Sequence, residues 1–324
     1  MTAPDLPAEL KAALEAKLHG LSRSDAAARA AAISETYRGG GGSAGIRSEA
    51  DALAYALARM PATYAAVTAC LNALREVRPD FAPQSLLDIG AGPGTATWAA
   101  TEAFASIDAF TAMDANSALR TLALEMFKGS RASAVRYVKR EVGTALAGME
   151  AADLVVASYL IGEMEEPARA ALADAMWTKT RDTLLIVEPG TPAGYARIIA
   201  LRAQLIGSGG HVVAPCPHDR ACPLEPPDWC HFAQRLPRSR AHMALKGAEL
   251  PFEDEKYAYV ALTRAPVARP AARVLAPPHV GKVEVTAKLC APDGLAIAKV
   301  PRRAKAGYAR ARRWRWGDAV MNEH

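Results

Sequence analysis

The sequence lacks any run of apolar residues long enough to cross a membrane. A transmembrane helix needs ~20 consecutive apolar residues, and no segment of the 324 residues approaches that length. The first twenty residues carry three acids, Asp5, Glu9 and Glu15, and no apolar core of the ~7–15 residues found in a signal peptide. This pattern argues against a secretory signal and an acid-poor transit peptide. We therefore expect a cytoplasmic protein without a membrane partner.

Cysteine is also scarce, with five residues in the chain. Cys70 stands apart on an apolar helical stripe, where we expect an inert core thiol. Cys216, Cys222 and Cys230 fall within fifteen positions, and 59 residues separate Cys230 from Cys290. In a reducing compartment, clustered cysteines are more often metal ligands or redox groups than disulfides. Four converging thiols can hold a tetrahedral metal ion or an iron–sulfur cluster.

Spacing alone leaves the metal open. Zinc favours short C-x₂₋₄-C knuckles, whereas five residues separate Cys216 from Cys222 and seven separate Cys222 from Cys230. Wider loops suit a larger cluster. His218 and His231 keep a mixed Cys/His zinc site possible, and unrelated loop thiols are the remaining alternative.

Helical patterns dominate the N-terminal part of the chain. Residues 5–37 are alanine-rich with helical periodicity and end at the glycine run Gly39–Gly42. Ser48–Arg59 predicts a second helix that stops at Met60-Pro61, and Thr63–Val77 predicts a third.

Strands then alternate with helices, which predicts a parallel sheet. Ser85–Ile89 predicts a strand, followed by a glycine loop and a helix from Thr95 to about Ala105. After about Gly207 the pattern changes to a Pro- and Cys-rich loop. The other predicted strands are 109–113, 153–159, 183–187, 257–262, 283–285 and 295–300, with a turn at Asp293-Gly294.

We predict an α/β fold of the class I (Rossmann-like) methyltransferase type. Residues 1–80 form a helical N-terminal region, and 81–264 a cofactor-binding domain with a Cys-rich segment at 211–232. Residues 265–324 form a small, basic, β-rich and barrel-like C-terminal module.

The glycine loop distinguishes between cofactors. Asp88-x-Gly90-x-Gly92-x-Gly94 resembles motif I of S-adenosylmethionine-dependent methyltransferases, and the chain has no G-K-[ST] of a phosphate loop. Asp114 follows the next predicted strand, twenty residues after Gly94, where an acid would hold the ribose hydroxyls. These five residues are the predicted S-adenosylmethionine site. A dinucleotide or a tight turn without ligand are the alternatives.

The methyl-acceptor side is less informative. The strand ending at Ala157 continues into Ser158–Glu163, without the Asn/Asp/Ser-Pro-Pro-aromatic tetrad of amino-methylating enzymes. Glu188-Pro189-Gly190 could line an acceptor pocket, although a turn explains it equally well. We assign no catalytic residue.

Positive charge is concentrated at the C-terminal end. From Ala265 onward there are twelve Lys/Arg and four Asp/Glu, so the preceding residues carry a net charge of −3. Cations that neutralise phosphates and aromatic rings that stack on bases suit RNA, whereas the alternative is a solvated tail. The residues are Arg302, Arg303, Lys305, Arg310, Arg312, Arg313 and Arg315, with Tyr308, Trp314 and Trp316 between them.

Six motifs stand out along the chain: Ala58–Tyr64, Asp88–Thr95, Glu188–Gly194, Pro215–His218, Asp228–Phe232 and Phe252–Tyr257. Together they resemble the methyltransferase-like ribosome-assembly family, whose mitochondrial members act on the small subunit and which has bacterial relatives. The resemblance covers roughly residues 40–316 and implies a 4Fe–4S cluster on Cys216, Cys222, Cys230 and Cys290. It also implies S-adenosylmethionine at the glycine loop and binding to small-subunit rRNA.

Our leading hypothesis is therefore a bacterial small-subunit assembly factor that is monomeric away from the ribosome. The first rival is an active rRNA methyltransferase with a structural metal site. The second is an iron or redox sensor that acts on translation.

Overall fold

The computed structural model describes residues 3–17, 22–38, 41–141, 146–239, 242–243 and 247–321. Gly39 and Gly40 of the predicted glycine run lie outside these residues. Among the described helices, none is long and apolar enough to cross a membrane.

The larger sheet carries the cofactor-binding topology. Its strand order is β3-β2-β1-β4-β5-β8-β6, with β7 paired to β8. Strands β1 to β5 are parallel, and β8 is antiparallel to β5. The order reverses beside β1, where open α/β sheets bind ligands. The strands are β1 (Ser85–Ile89), β2 (Ala109–Asp114), β3 (Arg136–Lys139), β4 (Ala152–Ser158), β5 (Thr180–Pro189), β6 (His211–Ala214), β7 (Phe232–Pro237) and β8 (Phe252–Thr263).

Helices cover both faces of this sheet. Helices α1 to α5 contribute to the core on one face, and α6 and α7 to the core on the other. This layering buries β4 and β5 almost throughout. The helices are α1 (Ala8–Lys17), α2 (Arg23–Arg38), α3 (Glu49–Val77), α4 (Thr95–Ala103), α5 (Ser117–Met126), α6 (Glu166–Thr178), α7 (Pro192–Gly207) and α8 (Lys305–Ala311).

Helix α3 corrects one prediction. The sequence predicted two helices separated at Met60-Pro61, but α3 continues through Pro61 as one helix. Proline removes one backbone hydrogen bond from a helix interior, yet α3 packs against α2, α4, α5 and β8. Burial against these neighbours stabilises the continuous helix. Cys70 on this helix is fully buried, as predicted.

A second, antiparallel sheet forms the C-terminal part. Strand β11 pairs with β9, β10 and β12, and the β11–β12 hairpin closes at the predicted Asp293-Gly294 turn. The suggested barrel-like module is thus a sheet centred on β11 in the described residues. Its strands are β9 (Ala272–Val274), β10 (His279–Val280), β11 (Glu284–Ala291), β12 (Gly294–Pro301) and β13 (Ala319–Val320).

The Cys-rich segment is less irregular than predicted. Strand β6 precedes most of it and β7 follows it, and both strands pair with β8. The loop between them is therefore anchored at both ends to the large sheet. The predicted fold class, with its helical N-terminal region and β-rich C-terminal part, is confirmed.

Candidate functional site

The glycine loop connects β1 to α4 at the reversal of strand order. Gly90, Gly92 and Gly94 have φ angles of 68°, 53° and 81°, which side chains with a Cβ rarely adopt. A Cβ on Gly92 would have only one atom within 4 Å, on the Leu119 side chain at 3.8 Å. The backbone of Gly92 therefore faces open space that a ligand can occupy.

A cavity of about 370 Å³ lies beside this loop. Its size falls within the ~300–1,000 Å³ typical of small-molecule sites. Gly90, Gly92 and Asp114 line it. Three of the five residues predicted to bind the cofactor thus lie together on one wall.

Asp114 is positioned by backbone donors at the end of β2. Its Oδ2 accepts a hydrogen bond from the Gly92 N–H at 2.9 Å, and its Oδ1 accepts one from the Asn116 N–H at 2.7 Å. Burial raises the pKa of Asp114, although these backbone donors oppose the shift. Each carboxylate oxygen keeps a further lone pair, so the group can accept hydrogen bonds from two neighbouring hydroxyls.

Asp88 and Gly94 support the loop from behind and do not line the cavity. The fully buried Asp88 accepts hydrogen bonds at Oδ2 from the N–H and hydroxyl of Thr97, at 3.0 and 2.8 Å. Burial raises the pKa of Asp88 to about 7. A Cβ on Gly94 would lie 2.3 Å from the Phe127 ring. Asp88 therefore holds the start of α4 through Thr97, and Gly94 permits close packing against Phe127.

Asn116 is a site residue that the sequence interpretation missed. Its Oδ1 accepts hydrogen bonds from the N–H groups of Ala118 and Leu119, which caps α5. Its Nδ2 donates to the carbonyl of Ile46 at 2.9 Å, close to Ser43, which lines the cavity. Asn116 thereby ties the N-terminal region to the wall of the cavity beside the glycine loop. The available signal was an asparagine three residues after the predicted strand 109–113, since asparagine is a favoured helix N-cap.

Tyr159 occupies a strained position at the end of β4. Its φ angle of 57° is unusual for a residue other than glycine, and such strain often marks functional sites. Its hydroxyl donates to Glu255 Oε1 at 2.9 Å, and Arg59 lies 3.6 Å from the same oxygen. This network fixes the tyrosine side chain beside the cofactor cavity.

A second cavity of about 400 Å³ adjoins the first. Glu188 and Pro189 line it, so the motif that follows β5 does face a pocket. The two cavities share the residues Tyr55, Arg59, Thr63, Tyr159 and Glu163.

Glu188 is a fully buried acid on the wall of this second cavity. Its Oε1 accepts a hydrogen bond from the Ile161 N–H at 3.1 Å, and its Oε2 accepts one from Arg197 Nε at 2.8 Å. Burial raises the pKa of Glu188, and Arg197 opposes the shift. Through its hydrogen bond from the Ile161 N–H, Glu188 also holds the turn after β4.

The four clustered cysteines line a single cavity. Cys216 follows β6, Cys222 lies in the loop, Cys230 precedes β7 and Cys290 belongs to β11. The two sheets therefore bring Cys290 to the other three thiols despite its distance along the chain. Other lining residues include Tyr195, Ile198, Arg202, Phe232, Tyr259 and Arg273.

Two of these thiols have polar neighbours. The Tyr195 hydroxyl donates to Cys222 Sγ at 3.1 Å. Cys290 Sγ lies 3.5 Å from Nε2 of the buried His218. Such contacts can orient the sulfur atoms and are the kind that surround metal-bound thiolates.

Burial favours the neutral form of the thiols, although the nearby guanidiniums of Arg202 and Arg273 oppose this preference. Burial raises the pKa of Cys216 and Cys230, and raises that of Cys290 to about 12. Repulsion from the neighbouring cysteines raises all three further. A bound metal centre would reverse this preference because its positive charge stabilises thiolates.

In the described part of the chain, no group of three or more His, Cys, Asp or Glu side chains could hold a metal ion. His231 is engaged elsewhere, stacked on Trp229 at 5.0 Å and edge-on to Trp316 at 4.9 Å.

The C-terminal sheet packs against the Cys-rich segment through several contacts. An ion pair joins Lys288 of β11 to Asp228, and Trp316 contacts His231. Arg273 of β9 donates to the carbonyl of Pro215 at 2.8 Å. The cysteine cavity therefore lies at the junction of the two sheets.

The predicted basic residues are exposed, but the aromatic residues between them are not arranged as predicted. Trp314 packs against the core of the C-terminal sheet and Trp316 against the main core. The Tyr308 hydroxyl donates to the carbonyl of Gly281 at 3.2 Å. These rings serve packing, which leaves a mainly cationic surface. Its residues are Arg302, Arg303, Lys305, Arg310, Arg312, Arg313 and Arg315, which we call the basic surface.

Curated relatives of this chain are mitochondrial proteins. The human mitochondrial ribosome assembly protein METTL17 is 29% identical over 299 residues, which cover 84% of this chain and 63% of the human protein. The mitochondrial Rsm22-cox11 tandem proteins 1 and 2 of Schizosaccharomyces pombe are each 25% identical over 319 residues, covering 82% of this chain and 42% of theirs. The chain thus spans less than two thirds of the length of these relatives.

This comparison overturns the predicted location. We expected a cytoplasmic protein because the first twenty residues lack the features of a transit peptide. All three relatives are mitochondrial, so the cytoplasmic prediction is wrong. The first twenty residues were a poor guide to location because Ala8–Lys17 forms α1, whose Leu10 and Leu14 pack in the core of the folded protein.

Solved methyltransferases also resemble the chain. The magnesium protoporphyrin IX methyltransferase of Synechocystis, solved with S-adenosylmethionine, has a TM-score of 0.40 and 10% identity over 63% of this chain and 80% of its own. The N-methyltransferase NodS of Bradyrhizobium japonicum has a TM-score of 0.39 and 14% identity over 59% and 83%.

A family model described as mitochondrial small ribosomal subunit Rsm22 matches residues 49–321. That range includes the glycine loop, the four clustered cysteines and the basic surface. The match agrees with the resemblance inferred from the sequence motifs. The chain belongs to the Rsm22 family.

Proposed function

We propose that this protein is an assembly factor for the small ribosomal subunit, and that it binds S-adenosylmethionine, a 4Fe–4S cluster and rRNA. The observation that carries the proposal is the family match, which spans the glycine loop, the four clustered cysteines and the basic surface in one chain. The human relative is named a ribosome assembly protein. The proposal extends that role to this chain.

S-adenosylmethionine fits the cavity beside the glycine loop. Gly90 and Gly92 allow close approach of the ligand to the backbone, since Gly92 faces open space. Asp114 has lone pairs available for the two ribose hydroxyls, which it would bind at the end of β2. Asp88 and Gly94 contribute indirectly by holding the loop.

The cluster would be held by Cys216, Cys222, Cys230 and Cys290. Support comes from the enclosure of all four thiols in one cavity and from the preference of iron–sulfur clusters for four cysteine ligands. The centre would supply a cross-link between the loop after β6 and strand β11. Because Cys290 lies in the C-terminal sheet, this cross-link would fix the basic surface relative to the cofactor domain.

The basic surface would bind rRNA through its phosphates. All seven cations are exposed, and the helix α8 with the turn that follows it presents four of the arginines. Phosphate contacts of this kind give affinity without sequence specificity. We propose 265–324 as the RNA-binding module and 81–264 as the cofactor domain.

The second candidate is an active rRNA methyltransferase. The observation in its favour is the cavity lined by Tyr159 and Glu188, which adjoins the proposed cofactor cavity and could admit an acceptor. The chain lacks the acceptor tetrad of amino-methylating enzymes after β4. We therefore rank assembly without methyl transfer first.

Calorimetry with S-adenosylmethionine tests the cofactor assignment. Gly92→Val should fill the cavity, and Asp114→Ala should weaken binding about ten- to a hundredfold, since losing a charged acceptor costs ~1.5–3 kcal/mol. Gly209→Val is a matched control, because Gly209 has a φ of 85° and no neighbouring atom within 4 Å. Asp153→Asn is another, because Asp153 accepts backbone N–H groups at the opposite end of the sheet. Unchanged affinity in both site variants would refute the assignment.

Complementation of a deletion strain separates the two functions. Loss of the gene should reduce mature small subunits and leave precursors in sucrose gradients. Rescue of assembly by Gly92→Val, despite lost cofactor binding, would support a role independent of methyl transfer. Failure of that variant, together with loss of a methyl group from small-subunit rRNA, would favour the enzyme. A deletion strain with normal subunit profiles would contradict the assembly role itself.

A further inference from the structure

Two arginines are buried beside the four cysteines. Arg202 of α7 is 3% exposed and Arg273 of β9 is fully buried. Arg202 Nη2 donates to the carbonyl of His218 at 2.6 Å. Arg273 Nε donates to the carbonyl of Pro215 and its Nη1 to that of Gly317, each at 2.8 Å. Arg202 Nε and Arg273 Nη2 have no hydrogen-bond partner among the described residues.

Neither guanidinium has a carboxylate partner. In the described part of the chain, the salt bridges join other residues. Burial raises the pKa of Glu76, and the charge of Arg273 opposes that shift, but no ion pair among the described residues joins the two. Buried charges are normally paired because desolvation is costly. Two unpaired cations in one place therefore indicate a missing anion.

The position of the arginines identifies that anion. Both line the cavity of the four cysteines, and Arg273 lies directly opposite Cys290 in the register of β9 and β11. Four neutral thiols would leave both guanidiniums uncompensated. Four thiolates around a metal centre would compensate them.

We propose that Arg202 and Arg273 are the counter-ions of the metal centre and set its reduction potential. The inference rests on the proposed cluster. An oxidised 4Fe–4S core with four thiolates carries about two negative charges, which two guanidiniums balance, and reduction adds one more. Each arginine therefore stabilises the reduced state more than the oxidised state. Their free N–H groups supply hydrogen bonds to cluster or cysteine sulfur, a second route by which proteins tune such centres.

Redox titration of the anaerobically purified full chain tests this inference. Arg202→Met and Arg273→Met each remove one positive charge while keeping a long side chain. We expect the equilibrium constant for one-electron reduction to fall about tenfold in each, which corresponds to about 59 mV. Arg202→Lys and Arg273→Lys keep the charge and should restore most of the potential. Iron and acid-labile sulfide are measured in every sample.

Arg131→Met is the matched control. Arg131 also donates to backbone carbonyls, those of Thr101, Ala105 and Ile107, but these belong to α4 and the segment after it. Its loss should leave the potential unchanged. The control separates the effect of charge near the cluster from a general effect of removing an arginine.

Each outcome bears on the proposal. Wild-type potential in both methionine variants, with full iron content, would overturn the counter-ion role and leave the cluster intact. If the methionine variants lose the cluster, the lysine variants decide: a loaded cluster supports the charge argument, and an empty one overturns it. Wild-type protein without iron would refute the cluster in the proposed function. If zinc is bound instead, weaker zinc binding in the methionine variants but not in the lysine variants would still support Arg202 and Arg273 as counter-ions. Unaffected zinc binding, or no bound metal, would overturn that role.

Discussion

The basic surface makes a quantitative prediction about salt dependence. We consider the simultaneous replacement of Arg310, Arg312, Arg313 and Arg315 by glutamine. All four are exposed, so each can reach a phosphate without breaking a core contact. Each lost phosphate contact lowers the slope of log K against log salt by ~0.7–0.9. If all four residues contact phosphates, the slope should therefore become shallower by ~2.8–3.6.

Fluorescence anisotropy with a structured small-subunit rRNA fragment, across salt concentrations from about 50 to 200 mM, measures this slope. Binding should weaken by a similar factor for unrelated RNA sequences, because phosphate contacts carry no sequence information. The control replaces the exposed cations Lys128, Arg136, Lys139 and Arg181, which removes the same charge elsewhere. An unchanged slope in the C-terminal variant, or an equal change in the control, would refute a specific role for the basic surface.

Three further predictions concern single residues. Burial raises the pKa of Asp88 from 3.8 to about 7, so between these pH values the folded state keeps a proton that the unfolded state releases. As the pH rises through this range, the free energy of unfolding of the wild type should fall by up to ~4 kcal/mol relative to that of Asp88→Asn in urea titrations. Parallel pH dependences of the two proteins would contradict the reasoning. Gly94→Ala should destabilise the protein by ~1–3 kcal/mol more than Gly209→Ala in thermal unfolding, because only a Cβ at position 94 overlaps the Phe127 ring. Equal losses of stability in the two variants would contradict this packing role of Gly94. Cys290→Ser should abolish iron–sulfur absorption and increase proteolysis after about residue 265, whereas the control Cys70→Ser should keep the absorption. An intact absorption spectrum in Cys290→Ser would remove Cys290 from the set of cluster ligands.

Local patterns predicted the cofactor half of the fold well. The strand Ser85–Ile89 has the predicted bounds, and Asp114 lies on the cavity wall as its spacing indicated. Sequence prediction works well here because the strand, the glycine loop and the helix follow one another directly in the sequence. The same stretch did not reveal that Asp88 and Gly94 act from behind the loop, because that depends on Thr97 and Phe127.

Features that depend on distant pairing were harder to predict. Strand β3 was missed because it is only four residues long, Arg136–Lys139, and has an exposed charged residue at each end. Pro61 predicted a break that packing of α3 overrides. Arg202 and Arg273 are seventy-one positions apart and meet only because β9 joins β11 beside the cysteine cavity. No local pattern distinguishes them from surface arginines.

We propose above all that this protein acts on the small ribosomal subunit during its assembly. The most direct test is affinity purification of the tagged full chain from its own cells after ultraviolet cross-linking, followed by sequencing of the attached RNA. We predict enrichment of small-subunit rRNA from precursor particles, with cross-links in peptides that contain residues 302–315. Recovery of large-subunit rRNA alone, or of no rRNA above an untagged control, would contradict the account.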